Sequence, residues 1–260
     1  MANNGKPKVA FFDFSCCEGC QLTVVDTLQT HLELVEAVEI VQWREAMTEK
    51  GEDYQIAFIE GSCTRPEDEE RLRQIRAQAD IVVALGACAH IAGVNALVNI
   101  QPSLRDVREY VYGDKWEWYD SYPARPIEAV IEVDAVIPGC PIDRTEFLNV
   151  VKLVLLGKKP TIPDYPVCVE CKLKENVCIF DKGGFCLGPI TRAGCNAIYP
   201  TYGVGCLGCR GLISNPNENA MKDVLVKAGL TVEEMMARMT LFNAYNPAQT
   251  QEPEPVEAKE

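Results

Sequence analysis

Thirteen cysteines and two histidines, His31 and His90, make this chain rich in thiol donors and poor in imidazole. Soft thiolates without imidazole select zinc or iron–sulfur clusters. Cys17-Glu18-Gly19-Cys20 sets two thiols three residues apart, a grip suited to one cluster, one redox disulfide or one zinc ion. Cys88 and Cys140 each close an apolar run. Seven more thiols crowd the C-terminal part: Cys168, Cys171, Cys178, Cys186, Cys195, Cys206 and Cys209. Cys16 and Cys63 are left over; the first reads as a small buried hydrophobe, the second as an alternative donor at the end of a strand.

The elements that must position these thiols follow from apolar patterning. Lys8–Phe14, Val38–Trp43, Tyr54–Gly61, Ile81–Gly86 and Val133–Ile137 read as strands. Helices are expected from about Leu22 to His31 or Leu34, over Pro66–Gln78, and over Arg144–Leu156 with Asp143 as cap. Apolar strands separated by helices indicate a parallel sheet covered on both faces. In a doubly wound sheet the C-terminal ends of the first, fourth and fifth strands can share one edge. That edge would gather Cys17, Cys20, Cys88 and Cys140. Four thiolates are the full ligand set of a 4Fe–4S cluster, whereas structural zinc usually draws on two local knuckles. Cys63 could replace one of the four.

Residues 99 to 127 interrupt this rhythm with Tyr110, Tyr112, Trp116, Trp118, Tyr119 and Tyr122. They read as an insertion, either packed on its own aromatics or presented as an interface. Past Gly157, three prolines mark a linker, and residues 168 to 209 hold seven cysteines and seven glycines with little apolar periodicity. Such a segment cannot bury enough side chain to fold alone, so bound metal is its expected organiser. Its seven thiols suit one four-cysteine site and one three-cysteine site, with two zinc knuckles as the alternative. A helical stretch is expected from Ala220 to Met239. The acidic tail, residues 247 to 260, reads as disordered.

A net charge of −13 argues against a nucleic-acid surface. No run of 18 apolar residues offers membrane insertion. Met1–Lys6 has neither an apolar signal core nor paired arginines, and the expected location is cytoplasmic. A reducing cytosol disfavours structural disulfides, which returns the short-spaced cysteines to metal.

Six motifs together resemble the small, electron-transfer subunit of a nickel–iron hydrogenase, a relative of the 20 kDa-type subunit of complex I. They are Cys17-Glu18-Gly19-Cys20, Glu60-Gly61-Ser62, Ala84-Leu85-Gly86-Ala87-Cys88-Ala89, Ile137-Pro138-Gly139-Cys140-Pro141, Cys186-Leu187-Gly188-Pro189-Ile190-Thr191 and Gly205-Cys206-Leu207-Gly208-Cys209. The resemblance implies a flavodoxin-like doubly wound parallel sheet over residues 1–157, followed by an irregular, cysteine-rich iron–sulfur domain over 158–246. It implies a proximal 4Fe–4S cluster on Cys17, Cys20, Cys88 and Cys140. Cys168, Cys171, Cys178 and Cys186 would hold a distal 4Fe–4S cluster, and Cys195, Cys206 and Cys209 a medial one.

The chain has Cys168 where periplasmic members usually have histidine, which resembles the cytoplasmic groups. Asn196–Pro200 supplies no fourth medial cysteine, so that cluster is expected as 3Fe–4S with Pro200 at the vacant corner, or 4Fe–4S with an unusual ligand. The implied partners are a large subunit carrying the nickel–iron centre, where hydrogen is split, and an acceptor subunit with flavin or further clusters. Tandem Cys16-Cys17 also resembles the complex I subunit. A complex I-like or membrane-bound hydrogenase subunit is therefore one alternative, and a zinc-stabilised binding module is another.

Overall fold

The computed structural model describes residues 5–249. Its centre is a five-stranded, wholly parallel sheet of β1 (Lys8–Asp13), β2 (Glu39–Trp43), β3 (Ile56–Glu60), β4 (Ile81–Leu85) and β5 (Ala135–Ile137), in the order β2-β1-β3-β4-β5. The order reverses direction beside β1, and crevices at such points collect ligands at the strands' C-terminal ends.

The strand period of two sorts side chains onto two cores. Val9, Phe11, Ile56, Phe58, Val83 and Leu85 face one layer. There α1 (Gly19–Thr30) contributes Val24, and α6 (Arg144–Leu155) contributes Phe147, Val150, Val151 and Val154 at helical spacing. Fully burying a side chain of this size contributes about 1.5–3 kcal/mol. Ala10, Phe12, Ala57, Ile59, Val82 and Ala84 face the other layer, where α3 (Pro66–Gln78) contributes Leu72 and Ile75. The short α2 (Leu32–Ala37) leads into β2, and α4 (Gly86–Ile91) follows β4 directly. Asp143 caps α6, its carboxylate accepting from the Glu146 N–H at 3.0 Å.

The aromatic insertion is partly helical rather than a loop. Ser103 caps α5 (Leu104–Tyr112), its hydroxyl accepting from Asp106 N–H at 3.1 Å, and a 3-10 turn follows over Gly113–Trp118. Tyr112 and Tyr119 stack at 4.0 Å, and the guanidiniums of Arg105 and Arg108 cover Trp116. The segment thus packs partly on its own aromatics, while Tyr110 and Trp118 stay exposed.

Among the described residues no strand lies beyond Ile137. The later part carries α7 (Val167–Leu173), the single-turn α8 (Ile198–Thr201), α9 (Glu218–Lys227) and α10 (Val232–Asn243). The continuous helix expected from Ala220 to Met239 is broken at Gly229, with φ +81°, and restarted by a capping box between Thr231 and Glu234. Most of the expected disordered tail, from residue 250 on, lies outside the described residues; Pro247–Gln249 forms a 3-10 turn. No helix among the described residues is long and apolar enough to cross a membrane.

Candidate metal centre

The first thiol group forms where β1, β3, β4 and β5 end. Helix α1 has no side-chain cap from Glu18, which sits in the left-handed region at φ 61°. Its free N–H groups are met from the neighbouring strand instead: Glu60, at the end of β3, accepts from Cys20 N–H at 3.1 Å and Gln21 N–H at 2.9 Å. The carboxylate lies at the positive end of the helix and fixes the position of Cys20. Gly61, at φ +101°, lets the two chain ends close, since a Cβ there would meet Phe14 carbonyl carbon at 2.7 Å. Arg44 pairs with both Asp13 and Glu18 and holds the loop from its outer side.

Cys20 stands over Gly86, which has φ +83° and where any Cβ would collide with the Cys20 sulfur. Helix α4 carries Cys88, and the turn after β5 carries Cys140. Cys20 interacts electrostatically with Cys88 and Cys140, and Cys88 with Cys140 and Cys17. The four thiols singled out in the sequence thus lie within electrostatic reach of one another at this end of the sheet. Burial pushes the Cys88 thiol up to about 12, with Cys140, Cys17 and Glu60 adding to the rise. Burial also raises Glu60, against the two N–H bonds it accepts. Crowded, buried sulfur beside a carboxylate is a donor set that calls for positive charge at its centre.

Two leftover cysteines separate clearly. Cys16, expected as a small buried hydrophobe, is only half-buried, within electrostatic reach of Glu60 and Cys88. Cys63 is fully buried in the other core layer, its Sγ 2.8 Å from Tyr122 Oη. Glu60 is the residue that sequence reasoning left without a role; its signal was the Glu-Gly-Ser turn closing a strand.

In the later segment Cys168 and Cys171 lie on α7 and, with Cys178 and Cys186, line a cavity of about 310 Å³. Gly188 leaves room there: a Cβ would stand 3.2 Å from Cys186 Sγ and 3.5 Å from Cys168 Sγ. Burial pushes Cys168 up to about 11, with the other three thiols contributing. Cys195, Cys206 and Cys209 line a second cavity, of about 450 Å³, together with Pro200 and Cys140. Burial raises Cys206 to about 12 and Cys209 to about 11. Glu170 shapes the Cys195 loop by accepting from Gly194 N–H at 2.8 Å and Ala197 N–H at 3.1 Å. Zinc–sulfur bonds are only about 2.3 Å long. Among the described residues no group of three or more His, Cys, Asp or Glu side chains is closed around a single metal ion; Cys140 and the seven later thiols line cavities, and soft thiolates suit zinc or iron–sulfur clusters.

The three groups adjoin one another. Cys140 and Cys209 line the same cavity, which joins the first group to the three-cysteine group. Cys206 N–H donates to Cys186 Sγ at 3.2 Å, joining that group to the four-cysteine one. Cys17 at one end and Cys178 at the other are exposed.

Residues 17–154 match the family model of the NADH ubiquinone oxidoreductase, 20 kDa subunit. The sulfhydrogenase 2 subunit delta of Pyrococcus furiosus is 35% identical over 237 residues, which cover 90% of this chain and 98% of that protein. A subunit of the F420-non-reducing hydrogenase vhu of Methanocaldococcus jannaschii is 31% identical over 272 residues, 92% of this chain and 94% of that one. Among solved structures, one chain of an NAD+-reducing nickel–iron hydrogenase in its H2-reduced state superposes with a TM-score of 0.54 at 26% identity, over 61% of this chain and 96% of that chain. With hydrogenase subunits as its relatives in sequence and in fold, the chain belongs to the family of the NADH ubiquinone oxidoreductase 20 kDa subunit.

Proposed function

We propose that this chain is the electron-carrying small subunit of a cytoplasmic nickel–iron hydrogenase complex. Cys17, Cys20, Cys88 and Cys140 hold a proximal 4Fe–4S cluster in this reading. Cys195, Cys206 and Cys209 hold the medial cluster, of the 3Fe–4S type, and Cys168, Cys171, Cys178 and Cys186 a distal 4Fe–4S cluster. Clusters so bound would take up and release one electron at a time. The observation that carries the reading is the contiguity of the three thiol groups, through the cavity that Cys140 shares with Cys209 and the bond from Cys206 N–H to Cys186 Sγ.

The chain's own residues supply position. Glu60 fixes Cys20 through the first turn of α1, and Gly86 and Gly188 keep side chains out of the space beside the sulfurs. The nickel–iron site belongs to a large subunit set against the Cys17 end. The Cys178 end faces a flavin- or iron–sulfur-containing acceptor subunit. The relatives' names support a hydrogenase assembly: sulfhydrogenase, F420-non-reducing hydrogenase and NAD+-reducing hydrogenase.

Anaerobic purification of the complex, with metal analysis and EPR, tests this. About eleven irons on this chain support the two 4Fe–4S and one 3Fe–4S assignment, and about twelve indicate three cubanes. A colourless protein carrying zinc refutes electron transfer altogether.

A further inference from the structure

Arg210 is the largest side chain fully enclosed in the described structure, at 1% exposure. A buried guanidinium is costly unless its donors are met, and here they are met by two thiol-bearing segments and by a carboxylate of α6. Its Nε–H donates to Ala193 O at 2.8 Å, two residues before Cys195. One Nη1–H donates to Pro138 O at 2.8 Å, two residues before Cys140. Nη1 and Nη2 also form a fork onto the Glu146 carboxylate of α6 at 2.8 and 2.7 Å. Arg210 itself follows Cys209. Gly194, at φ +117°, is required for this packing, because a Cβ there would collide with the guanidinium and stand 2.8 Å from Glu146 Oε1. Lysine has no planar fork to bridge these acceptors.

The charge is also placed asymmetrically. Arg210 lines the cavity of Cys195, Cys206 and Cys209, whereas its counter-charge, Glu146 on α6, is not part of that lining. Adding an electron to a centre on those thiols adds negative charge, which a nearby fixed cation stabilises.

Resting on the electron-transfer reading above, we propose that Arg210 is a positioning residue that clamps the three-cysteine loops onto the sheet domain. As a fixed buried cation, it also raises the reduction potential of the centre held by Cys195, Cys206 and Cys209. Glu146 moderates that charge, so removing either partner moves the potential in opposite directions. A clamp with no electrostatic role would not give opposite signs.

The test is a potentiometric EPR titration of that centre in the anaerobically purified complex, with iron content measured in parallel. Arg210→Met is expected to shift the reduced-to-oxidised ratio at a fixed potential about tenfold toward oxidised, equivalent to about 59 mV for a one-electron couple. Glu146→Gln is expected to shift it toward reduced, and Arg210→Lys to keep the wild-type ratio wherever the centre assembles. If Arg210→Met fails to assemble the centre, Glu146→Gln and Arg210→Lys carry the test. Unmoved potentials with full iron content overturn the proposal, as do shifts of the same sign in Arg210→Met and Glu146→Gln, or loss of the centre from all three variants. A wild-type complex with zinc in place of iron sinks the electron-transfer reading first, and this proposal with it.

Discussion

Between Lys8 and Leu155 the packed interior comes from strands and helices; of the thiols there only Cys20 and Cys63 join the core, and Cys16, Cys17, Cys88 and Cys140 stand outside it. Between Val167 and Cys209 the thiols belong to the interior itself: Cys186 and Cys206 are buried with Val167, Ile179 and Ala197, and Cys171 and Cys195 pack against them. Apolar strand and helix side chains dominate both core layers of the sheet region, so its core is expected to survive loss of a bound metal. In the later segment sulfur stands where apolar side chains would otherwise be, and the segment's order should depend on what the sulfur binds. Two ways of placing a thiol thus carry two different relations between ligand binding and folding.

Stripping the metal should separate the regions most sharply. After iron chelation, amide exchange over residues 167–209 is expected to rise toward that of an open chain, while β1, β3 and β4 stay protected. Equal protection in both regions would break the comparison. Next in size, Cys88→Ser is expected to abolish hydrogen-dependent acceptor reduction and alter the proximal EPR signal. The sheet's exchange pattern should stay as in wild type, because Cys88 is half-buried on α4 and belongs to neither core layer.

Phe147→Ala provides the converse. Phe147 is 2% exposed and its ring lies 5.9 Å from that of Phe58; its truncation should destabilise the sheet domain by about 3–5 kcal/mol, read by denaturant titration, without changing iron content per folded chain. The smallest effect belongs to Cys63→Ser, which touches Tyr122 and no thiol group. Every EPR signal should remain as in wild type, and a changed proximal signal would place Cys63 among the ligands.

What could be read from the chain divides along the same line. Strand periodicity and the proline start of α3 were local signals, and α3 spans Pro66–Gln78 as expected. The four thiols of the sheet edge were legible because each follows an apolar run, so topology alone could gather them. Helix α1 begins at Gly19, before the expected Leu22, because its cap is Glu60, about forty residues away, and no local pattern announces that bond. Cys16 differs from expectation for a related reason: its neighbours Glu60 and Cys88 come from β3 and α4, distant in sequence. In the later segment, cysteine spacing indicated two groups, but the Arg210 clamp, which reaches back to Pro138 and Glu146, was invisible to spacing. The insertion helix α5 went unread because its aromatics obscured the Ser103 cap.

Cys17 and Cys178 both open to solvent. On the proposed reading, a conductor bare at both terminals leaks to any dissolved oxidant that touches it. Insulation then comes only from the neighbouring subunits that cap the two ends, and the order of their assembly becomes a safeguard as much as a matter of architecture.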